Sequence, residues 1–200
     1  YKEMLRIIKY IYDTRDLGLR MEPLIDKEWK VTVYSDSDWA GDKDSRRSVS
    51  GYLIFLNNVP ICWRSKSQAA ISLSSSEAEM YALTEAVKEV PFIIQVLLFM
   101  NARIHLPVEI KVDNMGAIYM SENSMPSSRT RHADLRQKFT SDLQEKGLIK
   151  IDFVRSEENT SDILTKNVTT ELFDKHTQSL VMDKTEMEQG LPEQVSAQNR

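Results

Sequence analysis

The 200-residue sequence predicts an α/β domain, a mixed five-stranded sheet flanked by helices. Three strand-like segments crowd into residues 31–66, close enough for an antiparallel meander. Helical and strand-like segments then alternate, giving the order βββ-α-β-α-β-α. The long helix after the third strand is a crossover, so the fourth strand should run parallel to its partner through a right-handed connection.

Residues 2–13 (KEMLRIIKYIYD) place Leu5, Ile8 and Ile11 at helical spacing and predict an amphipathic helix ending near Gly18. Residues 31–36 (VTVYSD) read as the first strand and 41–50 as a polar loop. Residues 51–56 (GYLIFL) and 59–66 (VPICWRSK) read as two strands around an Asn57-Asn58 turn. A long helix begins near Ser75 with the stripe Ala82, Leu83, Ala86, Val87 and Val90, and Pro91 predicts a break before residues 93–100. Residues 108–113 (VEIKVD) are a fourth strand, followed by a short helix over 115–122 and a Ser/Pro-rich loop. A helix over 132–146 stops at Gly147, and residues 148–155 (LIKIDFVR) alternate as the fifth strand. Helices are expected near 160–166 and 170–181. Residues 183–200 carry few large apolar side chains and read as a disordered tail.

Composition narrows the classes. A hydrophobic fraction of 41% suffices for a core, and one cysteine, Cys62, cannot form an internal disulfide, which fits a reducing intracellular setting. No apolar run reaches the roughly 18 residues of a membrane span, so no membrane partner is expected. The chain opens on Tyr1 rather than Met and reads as a piece of a longer product, such as a polyprotein. The net charge of −4 excludes a generic basic nucleic-acid binder. Charge is nevertheless uneven: residues 127–155 hold 7 Lys/Arg against 4 Asp/Glu, and residues 156–200 hold 4 against 9. A basic stretch suits phosphates beside an acidic cluster that holds metal, although ordinary solvated faces give the same bias.

Four acids stand apart from the solvated charge runs: Asp36 (VTVYSD), Glu79 (SSSEAEMYAL), Asp113 (VEIKVD) and Asp162 (ENTSD). Glu79 falls on the apolar stripe four residues before Leu83, where a carboxylate needs a reason to be buried. Asp36 and Asp113 end strands one and four, so neighbouring parallel strands would bring both to one sheet edge. Clustered hard oxygens suit Mg²⁺ or Mn²⁺, and a two-metal clamp is the usual device for cutting phosphodiesters. The competing reading is capping and solvation at helix starts.

The segments YSDSDWAGDKDSRRSVSGYLIFL, SSSEAEMYALTEAVKE, VDNMGAI, SRTRHADLR and SDILTK resemble the ribonuclease H domain of a copia-type LTR-retrotransposon Pol polyprotein. Residues 4–19 (MLRIIKYIYDTRDLGL) resemble the tail of the reverse transcriptase that precedes it. The resemblance implies a ribonuclease H-like fold and three parts: residues 1–30 as reverse transcriptase tail, 31–182 as ribonuclease H domain, and 183–200 as tail. It implies endonucleolytic cleavage of the RNA strand of RNA–DNA hybrids, with Asp36, Glu79, Asp113 and Asp162 as catalytic ligands of two Mg²⁺ ions. Partners would be the hybrid and the reverse transcriptase of the same polyprotein, with no small-molecule cofactor. The setting would be intracellular, in the cytoplasmic virus-like particle of the element. The sequence departs from the family at Met115, where glutamine is usual, at the order Met80-Tyr81, and at Pro91. The loop SEENTSD lacks the histidine that cellular ribonucleases H carry there, and His132 lies instead in the family's RTKH-like motif.

Candidate substrate contacts are Ser74, Ser75, Asn114, Arg129, Arg131 and His132, with Arg46 and Arg47 as further phosphate candidates. Each has a structural alternative. One serine of 74–76 caps the helix, with Ser76 and Glu79 as a capping box, and Asn114 stabilises its turn. Two other functions are distinguishable. A catalytically decayed nucleic-acid-binding remnant would have lost carboxylates, and an integrase core would lack the SEAE helix after a three-stranded meander.

Overall fold

A computed structural model describes residues 1–23, 27–122 and 131–183, with the side chains of Glu3 and of residues 131–134 also outside the description. Five strands form one sheet in the order β4-β3-β2-β5-β6. They are β2 (Val31–Asp38), β3 (Val49–Leu56), β4 (Val59–Ser67), β5 (Val108–Val112) and β6 (Ile149–Phe153). β2, β3 and β4 pair antiparallel, and β5 and β6 join in parallel beside β2. This is the mixed sheet expected of a ribonuclease H-like fold. The β3–β4 connection is tight because Asn57 and Asn58 both take positive φ (48° and 68°), the requirement of a two-residue turn whose twist matches its strands.

α2 (Ser75–Val87) lays Met80, Leu83, Ala86 and Val87 on the sheet face that carries Val31, Val33, Ile54 and Ile110, all buried. α3 (Glu89–Phe99) follows with a break at Lys88. Its start is earlier than residue 93 because Pro91 sits in the first turn, where its missing N–H is no loss. α4 (Met115–Glu122) and α5 (Arg131–Glu145) complete this layer, and Gly147 follows α5 at φ 66°. The opposite face is thinner. Leu53, Phe55 and Leu180 bury there against Tyr34, Ile163 and Leu164.

Three expectations are corrected. The helix near Asp162 is a 3₁₀ turn, Thr160–Leu164. Its residues TSD satisfy backbone groups locally: Asn159 Oδ1 accepts from the Ser161 N–H, and the tight turn suits such a short piece. The last helix, α6, covers Thr170–Gln178 rather than reaching 181. β7 (Val181–Asp183) follows and pairs antiparallel with β1 (Leu17–Leu19), a ribbon that patterning did not predict because three-residue strands show no alternation. Asp183 therefore belongs to paired structure and not to the tail, while residues 184–200 lie outside the described residues. α1 (Lys2–Asp13) forms as expected, with Leu5, Ile8 and Ile11 exposed and Tyr10 edge-on to Phe173 of α6 at 6.1 Å. No helix of the described residues is long and apolar enough to cross a membrane.

Candidate metal centre

The acids meet where β2 and β5 end. Asp36 lies in β2 opposite Gly51 of β3, and Asp113 follows the last residue of the parallel neighbour β5. Glu79 comes from the first half of α2, and its Oε1 accepts a hydrogen bond from the Ser37 N–H at 3.2 Å. One carboxylate oxygen from each of Asp36, Glu79 and Asp113 lies within 4.8 Å of the others. Asp162 arrives from the 3₁₀ turn on the thinner face. Lys166 Nζ bridges it to Asp36, at 3.0 Å from Asp162 Oδ2 and 3.6 Å from Asp36 Oδ1.

Gly51 explains how that turn comes so close. A Cβ at Gly51 would stand 2.6 Å from Thr165 Cγ2 and 2.9 Å from Leu164 Cβ. Its absence lets the Thr165 hydroxyl donate to Asp36 Oδ2. Asn159 fixes the other end of the turn by donating its side-chain amide to the Ser35 carbonyl at 3.0 Å. On the α2 side, buried Gln68 donates to Ser50 Oγ (2.8 Å) and to the carbonyl of Ala78 (3.0 Å), the residue before Glu79.

Burial and mutual repulsion raise the carboxyls of Asp36, Glu79 and Asp162, as expected when like charges leave water together. Asp36 is 1% exposed and raised by burial, which outweighs the Thr165 hydrogen bond and the Lys166 charge. Glu79 is pushed up to about 9 by burial and then by Asp36 and Asp113. Asp162 is pushed up to about 7 by burial and by Asp36. Two buried oxygens, Glu79 Oε2 and Asp162 Oδ1, have no hydrogen-bond partner. Orphaned acceptors on raised, clustered carboxylates are what a hard divalent cation relieves, so the donor set fits Mg²⁺ or Mn²⁺.

The substrate candidates divide. Ser74 caps α2, accepting from the Glu77 N–H, while Glu77 accepts from the Leu73 N–H. The capping pair is thus Ser74 with Glu77, not Ser76 with Glu79, which frees Glu79 for the cluster. Ser75 opens α2 and is exposed. Asn114 Oδ1 accepts from the Ala117 N–H and the Ser76 hydroxyl, so its turn-stabilising role is present. Arg129 lies outside the described residues, and so do the side chains of Arg131 and His132. Arg46 and Arg47 are exposed in a loop that Asp42 braces by accepting from the Asp44 and Ser45 N–H groups. Sequence reasoning passed over Thr165, Lys166, Gln68 and Ser156, whose hydroxyl donates to Asp113 at 2.7 Å. Lys166 alone left a signal, four residues after Asp162.

A search of family models finds none that matches. Sequence relatives are plain: the Retrovirus-related Pol polyprotein from transposon RE1 of Arabidopsis thaliana is 32% identical over 161 residues, 80% of this chain. The chain is homologous to a segment of transposon Pol polyproteins. The corresponding polyprotein from transposon TNT 1-94 of Nicotiana tabacum is 36% identical over 135 residues, 68% of this chain. The chain spans 11% and 10% of the length of these two Pol relatives. The resemblance to copia-type Pol polyproteins read from the motifs is therefore borne out. Among solved structures, LC11-RNase H1, isolated from compost, superposes with a TM-score of 0.49 at 14% identity, covering 73% of this chain and 96% of that one. RNase H1 from Halobacterium salinarum gives 0.47 at 13%, covering 73% and 98%. The fold assignment for this Pol segment stands on its own strand order.

Proposed function

We propose that this Pol segment is a ribonuclease H that cuts the RNA strand of RNA–DNA hybrids during reverse transcription, with residues 1–30 as the tail of the reverse transcriptase. The observation that carries the reading is the convergence of Asp36, Glu79 and Asp113 within 4.8 Å, joined by Asp162, with buried oxygens left unpartnered. These four side chains would hold two divalent cations, Mg²⁺ or Mn²⁺. When bound, the ions supply charge neutralisation, an activated water and stabilisation of the leaving 3′-oxygen.

The chain's own residues do the rest. Asp36 and Asp113 present oxygens from adjacent parallel strands, Asp36 within the last residues of β2 and Asp113 just past β5, a spacing set by the sheet. Ser37 N–H and Thr165 Oγ orient Glu79 and Asp36, and Ser156 orients Asp113. The loop 156–161 carries no histidine, so protons leave through solvent. Choice of strand rests on 2′-hydroxyls and hybrid shape rather than base sequence.

Incubating the protein with end-labelled RNA–DNA hybrid, with Mg²⁺ or with chelator, tests the reading. Metal-dependent RNA cleavage that spares the DNA strand is expected. Uncut hybrid under all divalent ions would refute it.

A further inference from the structure

Lys166 is not explained by the assignment above. Its ammonium sits 3.0 Å from Asp162 Oδ2 and 3.6 Å from Asp36 Oδ1, across the half of the cluster nearest the 3₁₀ turn. Among the described residues no basic side chain forms an ion pair with Glu79 or Asp113, so the Glu79–Asp113 side of the cluster is the less neutralised one. Asp162 Oδ1 is unpartnered, but a divalent ion seated between Asp36 and Asp162 would stand against the Lys166 ammonium as a like charge at close range. Lys166 also lines a cavity of about 300 Å³ with Asp38, Thr165 and Asn167. That cavity offers a displaced ammonium a second berth beside the Asp38 carboxylate.

We propose that Lys166 is a placeholder cation: it holds the Asp36–Asp162 half of the cluster until a divalent ion displaces it toward Asp38, so the two halves fill in sequence. The Asp36–Glu79–Asp113 half fills first, because of its three acids Lys166 reaches only Asp36, at 3.6 Å, and Glu79 Oε2 is unpartnered. The second ion competes with a tethered ammonium, whose effective concentration at the site is high. Full occupancy therefore waits on a higher free Mg²⁺ concentration than the first ion needs. This rests on the two-metal reading above.

Titration calorimetry with Mg²⁺ alone, in low salt, tests it on the intact chain and on Lys166→Gln and Lys166→Arg. Two binding steps are expected in the parent. Lys166→Gln should leave the first dissociation constant unchanged and tighten the second by about tenfold. Lys166→Arg should keep the parental weakness, because it keeps the charge. Thermal melts check folding and give a second readout: without metal, Lys166→Gln should melt below the parent, and Mg²⁺ should raise its Tm more than the parent's. An unchanged or weaker second step in folded Lys166→Gln overturns the placeholder role while leaving the metal site standing. Absence of any Mg²⁺ binding in all three proteins overturns the metal reading, and this proposal with it.

Discussion

Replacing Glu79 by glutamine should stabilise the metal-free protein at alkaline pH and barely affect it in mild acid. Glu79 is held at about 9 against an ordinary 4.5, by burial first and by Asp36 and Asp113 after that. The folded state keeps a proton that the unfolded chain releases above 4.5. Stability from this group is thus fully present below 4.5 and is lost as pH rises through 9. At 1.36 kcal/mol per pH unit, the loss by about pH 8 approaches 5 kcal/mol. The effective dielectric of even a buried site, about 20, reduces this to about 3 kcal/mol. Glutamine keeps an acceptor for the Ser37 N–H without the charge. For a chain of this length, about 3 kcal/mol corresponds to a Tm gain of about 6–12 °C. Melts in chelator at about pH 5 and pH 8 measure it: the two proteins should nearly coincide in acid and diverge in base. Adding Mg²⁺ should then raise the parent above the variant, since ligands that bind the native state stabilise it. Parallel pH profiles, or a variant that melts below the parent in base, would refute the buried-carboxylate argument.

Asp113→Asn should abolish hybrid cleavage while the metal-free Tm stays level or rises slightly, because one repelling charge leaves the cluster; cleavage at the parental rate would remove Asp113 from the site. Gly51→Ala should cost about 1–3 kcal/mol and blunt the Mg²⁺-induced rise in Tm, since its Cβ drives Thr165 and Leu164 off the sheet. Gln68→Leu should cost about 1–3 kcal/mol by stranding the Ala78 carbonyl and weaken Mg²⁺ affinity, read by calorimetry. A chain ending at Ser179 should melt well below one ending at Asp183, because Leu180 and Met182 are buried and β7 is the partner of β1.

Much of this was legible in the sequence because the relevant signals are local. Val31, Val33, Ile54 and Ile110 advertise strands by alternation, and Asn57-Asn58 marks its turn by tolerance of positive φ. Glu79 showed itself as a carboxylate on an apolar helical stripe, and Asp113 as a strand-ending acid, whereas Asp36 lies two residues inside the end of β2 because the strand runs on to Asp38. What escaped depended on distance or register. Three consecutive serines precede two nearby glutamates, so only coordinates separate the Ser74–Glu77 pair from Ser76–Glu79. Thr165 acquires its role only when Gly51 admits the turn, a contact between residues more than a hundred positions apart. β1 and β7 carry no periodicity at all and exist because each meets the other.

That last pairing governs the order in which the protein comes together. Leu17–Leu19 and Val181–Asp183 are separated by about 160 residues, so closing that loop costs entropy before any contact repays it. The clasp therefore zips late and frays early. α6 lies directly before it, and before α6 come the turn bearing Asp162 and, just past that turn, Lys166. A chain emerging from the ribosome completes the strands and helix that carry Asp36, Glu79 and Asp113 before the last acid and its lysine are synthesised. The nascent sheet thus carries three-quarters of its acidic charge through assembly without an internal counterion, and gains the fourth carboxylate and the neutralising ammonium in the same short stretch of synthesis.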